Sequence, residues 1–172
     1  MLTPVIMTVE QTFMEAGYTT LAFNFRGVGG SQGVSGEGRA EVADVAGALA
    51  FLAGTLGGAP PLQAVAGYSF GSVVGGRVAA TDSRVRLYVG IAPPMNLDEF
   101  AFLRSATCRI ALIAPSHDEF CDRGRLEAFC ASLPRTAWLR VVETDHFFTG
   151  KLEELAEACR DVIAWAGGAE KA

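Results

Sequence analysis

An α/β fold, a three-layer α/β/α arrangement around a mostly parallel sheet, follows from three observations along the 172 residues. Short runs rich in aliphatic, β-branched or aromatic residues alternate with longer runs of helical periodicity, the pattern of a sheet covered by helices on both faces. Half of the residues are hydrophobic, which suits one globular domain spanning 1–172 with a real core. And one apolar run, 62–68, passes directly into a helical run through Gly67-Tyr68-Ser69-Phe70-Gly71.

Taken in order, 2–16 carries Val5, Ile6, Val9, Phe13 and Met14 at helical spacing, with Pro4 tolerated in the first turn and Gly17 as a stop. The run 18–25 is β-branched and aromatic and predicts a strand. A glycine-rich loop fills 26–38, and 39–56 predicts a long helix. After the strand 62–68, the small apolar run 72–80 predicts a helix packed closely on the sheet. Strands are expected at 85–91, 109–114 and 137–142, and helices at 122–133 and 152–166, the last amphipathic. The stretch 96–104 has room for about one helical turn and no large cap.

Composition narrows the partners. Formal net charge is −5 with no block of lysine or arginine, which argues against nucleic acid or an anionic membrane surface. No apolar run approaches membrane-spanning length and the first residues lack a basic leader, so a cytoplasmic protein is expected. Cys108, Cys121, Cys130 and Cys159 form no C-x-x-C and no zinc-like set with the two histidines. They predict free, mostly buried thiols, with Cys121 near the candidate site. No metal or cofactor is implied. Oligomeric state has no signature in the sequence.

A strand turning at once into a helix strains the residue at its apex, and glycine relieves the crowding beside it. The apex serine then projects its hydroxyl above the sheet, with the following N–H aimed at the same space from a helix N-terminus. Ser69 fits that description, and the Phe70 N–H is the matching oxyanion donor. Gly29-Gly30-Ser31-Gln32-Gly33 has the same spacing but no helix behind it, so Ser31 is the weaker candidate. The same loop lacks the helix start that phosphate binding needs.

A serine hydroxyl needs a base, and the base an orienting acid. His117 and His146 are the available histidines. His146 follows the last expected strand, where a loop can carry it back over the sheet. Asp118 lies just past the carboxyl end of the 109–114 strand, the edge where catalytic groups of parallel sheets collect. Ser69, Asp118 and His146 stand in the chain order that accompanies this elbow. Glu119, Asp122 and Asp145 compete with Asp118 for the acid's role. Tyr68, Phe70, Met95, Phe100 and Phe147 are candidates to line an apolar substrate pocket, and each is also compatible with plain core.

The sequence resembles the α/β-hydrolase superfamily, more narrowly its small, cap-less dienelactone-hydrolase-like branch. The residues that carry the resemblance are Asn24-Phe25-Arg26-Gly27-Val28-Gly29 with Ser31 and Gly33, Gly67-Tyr68-Ser69-Phe70-Gly71, Asp118-Glu119, and Asp145-His146-Phe147-Phe148 with Gly150-Lys151-Leu152. Pro115-Ser116 departs from the glycine such families often place before the acid. The resemblance implies a serine hydrolase acting on a small-molecule acyl ester or lactone through an acyl-enzyme. Perhydrolase chemistry would use the same residues, whereas haloalkane dehalogenation wants a carboxylate at residue 69.

The resemblance also implies further strands ahead of residue 1. One of them would lie between 18–25 and 62–68, and the loop after it would supply the second oxyanion donor. The expectation is a reading frame truncated at its start, in preference to two strands that have closed up on each other. The rival reading is a non-catalytic or truncated binding protein of the same fold without a complete oxyanion hole.

Overall fold

The computed structural model describes residues 3–58, 63–98, 100–133 and 137–167. Its centre is a parallel sheet in the order β1 (Gln63–Tyr68), β2 (Val85–Ile91), β3 (Arg109–His117) and β4 (Trp138–Asp145). Strands that sit next to each other in space are also consecutive in the chain, each pair being joined by a crossover. Helices α1 (Pro4–Glu15) and α5 (Leu152–Gly167) cover one face. The other face carries α2 (Glu41–Thr55), α3 (Phe70–Thr81) and α4 (Arg123–Ser132). Among the described residues no helix is long and apolar enough to cross a membrane.

Strand alternation divides the core into two layers. In β3, Ala111 and Ile113 join Val9, Phe13, Leu155 and Val162 on the α1/α5 side. Ile110 and Leu112 of the same strand join Val74, Val78, Leu126 and Phe129 on the other. The small residues of α3 earn their place here: a Cβ on Gly75 would come within 2.9 Å of Val65, and one on Gly76 within 2.8 Å of Phe102. Without those side chains the elbow helix lies close on β1 and β2.

Most elements agree with the sequence within a few residues. Leu62, like Pro60 and Pro61, lies outside the described residues. Strands β3 and β4 run three residues further than expected, to His117 and Asp145, because the two chains stay paired up to the His117–Asp145 register position. In the 96–104 stretch the helical piece is a 3₁₀ turn at Ala101–Ser105.

The strand expected at 18–25 is the clear departure. These residues carry no regular secondary structure and belong to no sheet. Among the described residues β1 pairs with β2 alone, and a groove lies between β1 and 18–25. The two segments have therefore not closed up on each other. β-propensity favours an extended backbone, but a strand also needs a partner at hydrogen-bonding distance. Here the segment is held by other means: the Tyr18 ring packs edge-on against Phe13 at 5.2 Å, and the Phe25 ring against Phe70 at 5.7 Å.

The glycine loop is closed by two carboxylates. Glu41, 1% exposed, accepts the amides of Gly36 and Gly38 and the Ser35 hydroxyl. Asp44 accepts both the backbone N–H and the guanidinium of Arg26. Those donors hold both carboxyl groups below their ordinary range. Ser31, the weaker elbow candidate, donates its hydroxyl to the Asn24 carbonyl at 2.8 Å and is part of this loop.

Candidate active site

The turn from β1 into α3 forces Ser69 to φ 51 and ψ −119, a conformation side chains rarely adopt. The turn is so tight that a Cβ on Gly67 would stand 2.1 Å from the Gly71 carbonyl oxygen. Gly71 is different: a Cβ there meets only the Phe25 ring, at 3.9 Å. Of the two glycines flanking the serine, only the first is required by crowding. The elbow is pinned from below, where the Ser72 hydroxyl donates to the Ser69 carbonyl at 2.6 Å and the buried Tyr88 hydroxyl donates to the Ser72 carbonyl at 2.7 Å.

Ser69, His146 and Asp118 meet above the carboxyl ends of β1, β3 and β4. Ser69 Oγ lies 3.0 Å from His146 Nε2, and Asp118 Oδ2 lies 2.8 Å from His146 Nδ1. An ionised carboxylate only accepts, so Nδ1 carries the proton and Nε2 is left to accept from the serine. The His146 side chain is 9% exposed and the Asp118 side chain is fully buried. The other oxygen of Asp118 accepts the Phe120 amide at 2.9 Å, which fixes the carboxylate plane.

His146 is carried on a turn built by its neighbour. Asp145 accepts the amides of Phe147 and Thr149, which keep its carboxyl below the ordinary range. The competing acids are thereby placed in other work: Asp145 in this turn, Asp122 as the N-cap of α4 through the Arg125 amide. Glu119 offers its backbone carbonyl to Asn96. His117 closes β3 as an exposed residue, in register with Asp145 of β4.

Three rings surround the imidazole: Phe120 at 5.0 Å, Tyr68 at 5.3 Å and Phe147 at 5.4 Å between centroids. The Tyr68 hydroxyl also donates to the His146 carbonyl at 3.1 Å. Burial first, then the charges of Asp118 and Asp145, push the Tyr68 phenol above its ordinary value and keep it a donor. Phe147 is 67% and Phe70 is 43% exposed, so both present apolar surface to solvent beside the serine. Met95 and Phe100 do not line the groove. They are 4% and 0% exposed and lie in the core with Phe129 and Leu103, because the Phe100 ring is set against Phe102 of the 3₁₀ turn at 5.4 Å and Phe129 of α4 at 6.5 Å.

Sequence reasoning missed two positioning contacts. Phe120 both packs on the imidazole and donates to Asp118, and its only sequence signal is closeness to that acid. Asn96 ties the 119–122 turn to the loop after β2: its amide N–H donates to the Phe120 carbonyl, its side-chain nitrogen to the Glu119 carbonyl, and its side-chain oxygen accepts the Asp122 amide. Cys121 sits in that turn, buried, with its thiol pushed up to about 11 by desolvation. That value keeps it protonated and poorly nucleophilic at neutral pH.

A parallel sheet with a strained serine elbow, and a histidine and acid gathered over its carboxyl edge, is the architecture of a hydrolase of the α/β class. The chain belongs to the alpha/beta hydrolase family, whose pattern it matches over residues 7–168. Among solved structures it is similar to an alpha-beta serine hydrolase homologue from Coxiella burnetii, at 30% identity and TM-score 0.83, over 92% of this chain and 76% of that one. Protein ATU1826 of Agrobacterium tumefaciens superposes with TM-score 0.88 at 28% identity, over 95% of this chain and 78% of its own. XC6422 of Xanthomonas campestris, a serine hydrolase without a lid, gives TM-score 0.83 at 26% identity, over 92% and 72% of the two chains. The uncharacterized protein RP471 of Rickettsia prowazekii (strain Madrid E) is 27% identical over 168 residues, 92% of this chain and 70% of that protein.

Proposed function

We propose that this chain is a serine hydrolase that cleaves carboxylic esters or lactones through an acyl-enzyme. The observation that carries the reading is the unbroken relay Ser69 Oγ–His146 Nε2 and His146 Nδ1–Asp118 Oδ2, at 3.0 and 2.8 Å. Ser69 Oγ attacks the carbonyl carbon while His146 takes its proton, and Asp118 stabilises the imidazolium. The Phe70 N–H, at the start of α3, faces the oxyanion of the tetrahedral intermediate. As that intermediate collapses, the C–O bond to the leaving alcohol breaks and His146 returns the proton to it. Water, deprotonated by His146, then attacks the acyl carbon and releases the acid and free Ser69.

Exposed Phe70 and Phe147, with Tyr68 behind them, form an open apolar rim suited to a small or medium acyl group. The absence of a lid in XC6422 supports the same picture. Free thiols suit a protein of the reducing cytoplasm.

Fluorophosphonate labelling together with p-nitrophenyl acetate turnover tests the proposal. Adduct on Ser69, and loss of both signals in Ser69→Ala, are expected; a folded wild-type chain that neither labels nor turns over would refute it. A second reading, a binding protein of this fold, rests on the oxyanion side. Phe70 supplies one donor, and one missing donor costs about 10²–10³ in rate. Labelling without measurable turnover would favour that reading.

A further inference from the structure

Asp118 is held by a peptide group that is itself held. The unit between Glu119 and Phe120 donates its N–H to Asp118 Oδ1 at 2.9 Å. The carbonyl of that same unit accepts from Asn96 Nδ2 at 3.0 Å. One planar group therefore joins a side chain on the loop after β2 to the carboxylate that faces His146. From its far end the line runs through Asn96, the 119–120 peptide, Asp118, His146 and Ser69, with every link between 2.8 and 3.0 Å. Hydrogen bonds in series polarise one another, so a donor on the carbonyl makes the N–H at the other end a stronger donor.

The chemistry of Asn96 fits this task. Its nitrogen holds the Glu119 carbonyl while its oxygen accepts the Asp122 amide at 3.2 Å. A carboxamide is the short side chain that offers a donor and an acceptor on separate atoms. The Asn96 backbone N–H takes the Phe120 carbonyl at 2.9 Å, so the turn is gripped at three successive peptide groups. The grip has a firm base. Pro93 and Pro94 fix two φ angles, and the amides of Met95, Leu97 and Asp98 bond back to the carbonyls of those prolines. Asp98 then pairs with Arg77 of α3 at 3.0 Å, which braces the acid's turn against the helix that starts directly after Ser69. Asn96 itself is exposed, so replacing it opens no hole in the core.

We propose that Asn96 is a positioning residue of the site: through the 119–120 peptide it fixes the direction in which Asp118 presents its carboxylate to His146. Its effect on turnover rests on the hydrolase reading above; its effect on Asp118 does not.

The test compares Asn96→Ala, Asn96→Asp, Asp118→Asn and the double variant Asn96→Ala with Asp118→Asn, all in the full chain. Asn96→Ala keeps the backbone bond to Phe120 and loses both side-chain bonds. Asn96→Asp keeps the Asp122 amide and loses only the donor to Glu119; high salt screens its added charge. Both single variants at residue 96 should label with fluorophosphonate about fivefold more slowly than wild type, the worth of one hydrogen bond. Their kcat for p-nitrophenyl acetate should fall as far, with KM unchanged within about twofold. On the Asp118→Asn background, Asn96→Ala should add less than about twofold, because a residue that acts through Asp118 has nothing left to act on. A full further loss on that background, or unchanged labelling in either variant at residue 96, would overturn the proposal.

A second measurement does not depend on activity. In proton NMR spectra the Phe120 amide and the His146 Nδ1 proton mark the two bonds to Asp118. Both resonances should shift in Asn96→Ala, and both standing still would overturn the proposal whatever the kinetics. If they shift while the wild-type chain neither labels nor turns over, the hydrolase reading falls and the hold of Asn96 on Asp118 stands.

Discussion

Gly67→Ala and Gly71→Ala look equivalent on the motif, and the structure separates them. At residue 67 the new Cβ would lie 2.1 Å from the Gly71 oxygen, 2.4 Å from the Gly71 carbon and 2.7 Å from the Ser72 nitrogen, where ordinary contact starts at 3.4 Å. All three atoms are backbone in the first turn of α3, so no side chain can rotate away. Relief requires β1 and α3 to part, at about 3 kcal/mol, the upper end for an overpacked site. For a chain of this size that lowers Tm by roughly 6–12 °C. The same movement carries Ser69 away from His146, now 3.0 Å distant, and a displacement near 1 Å costs about 10²-fold in rate. At residue 71 the Cβ finds only Phe25 at 3.9 Å, and replacing glycine inside a helix gains about 0.5–1 kcal/mol. Calorimetry with fluorophosphonate labelling rates would read both variants. Normal labelling in Gly67→Ala, or a tenfold loss in Gly71→Ala, would refute the geometric argument.

Asp118→Asn keeps the shape but no longer holds His146 in the tautomer that accepts from Ser69; turnover should fall by about 10⁴ with Tm nearly unchanged, measured by nitrophenyl ester hydrolysis and calorimetry. Tyr68→Phe removes the 3.1 Å bond to the His146 carbonyl, worth about 1 kcal/mol, and should lower kcat about fivefold with little change in KM. Glu41 is held below its ordinary value by the Gly36 amide first, so its stabilising effect is present above that value and is lost as pH falls through the lowered one. Acid titration of Tm should therefore show a shallower acid limb in Glu41→Gln; an unchanged limb would mean that the glycine loop does not contribute. Cys121 and Cys159, with thiols pushed up to about 11 and about 12 by burial, should resist iodoacetamide at neutral pH until the chain is unfolded, which mass spectrometry would follow.

Local patterns carried the order of helices and strands, because amphipathic period and turn residues act between near neighbours. The elbow was legible for the same reason: strand, glycine, serine and helix lie within ten residues. The chain order of Ser69, Asp118 and His146 named the candidate site. The sequence left Glu119, Asp122 and Asp145 open beside Asp118, because every acid near a strand end satisfies the same rule.

What decided among them was contact over long separations. Asp118 reaches His146 across 28 positions and Ser69 reaches it across 77, while Tyr68 braces its carbonyl across 78. Met95 and Phe100 were as apolar as a pocket lining, and only the path of the chain after β2 buried them. The sequence by itself determined which backbone each segment prefers and which chemical groups are present. The tertiary structure decided whether 18–25 has a neighbour to bond with and which acid faces the imidazole, because pairing and proximity belong to the arrangement of several segments in space, and no one segment encodes them.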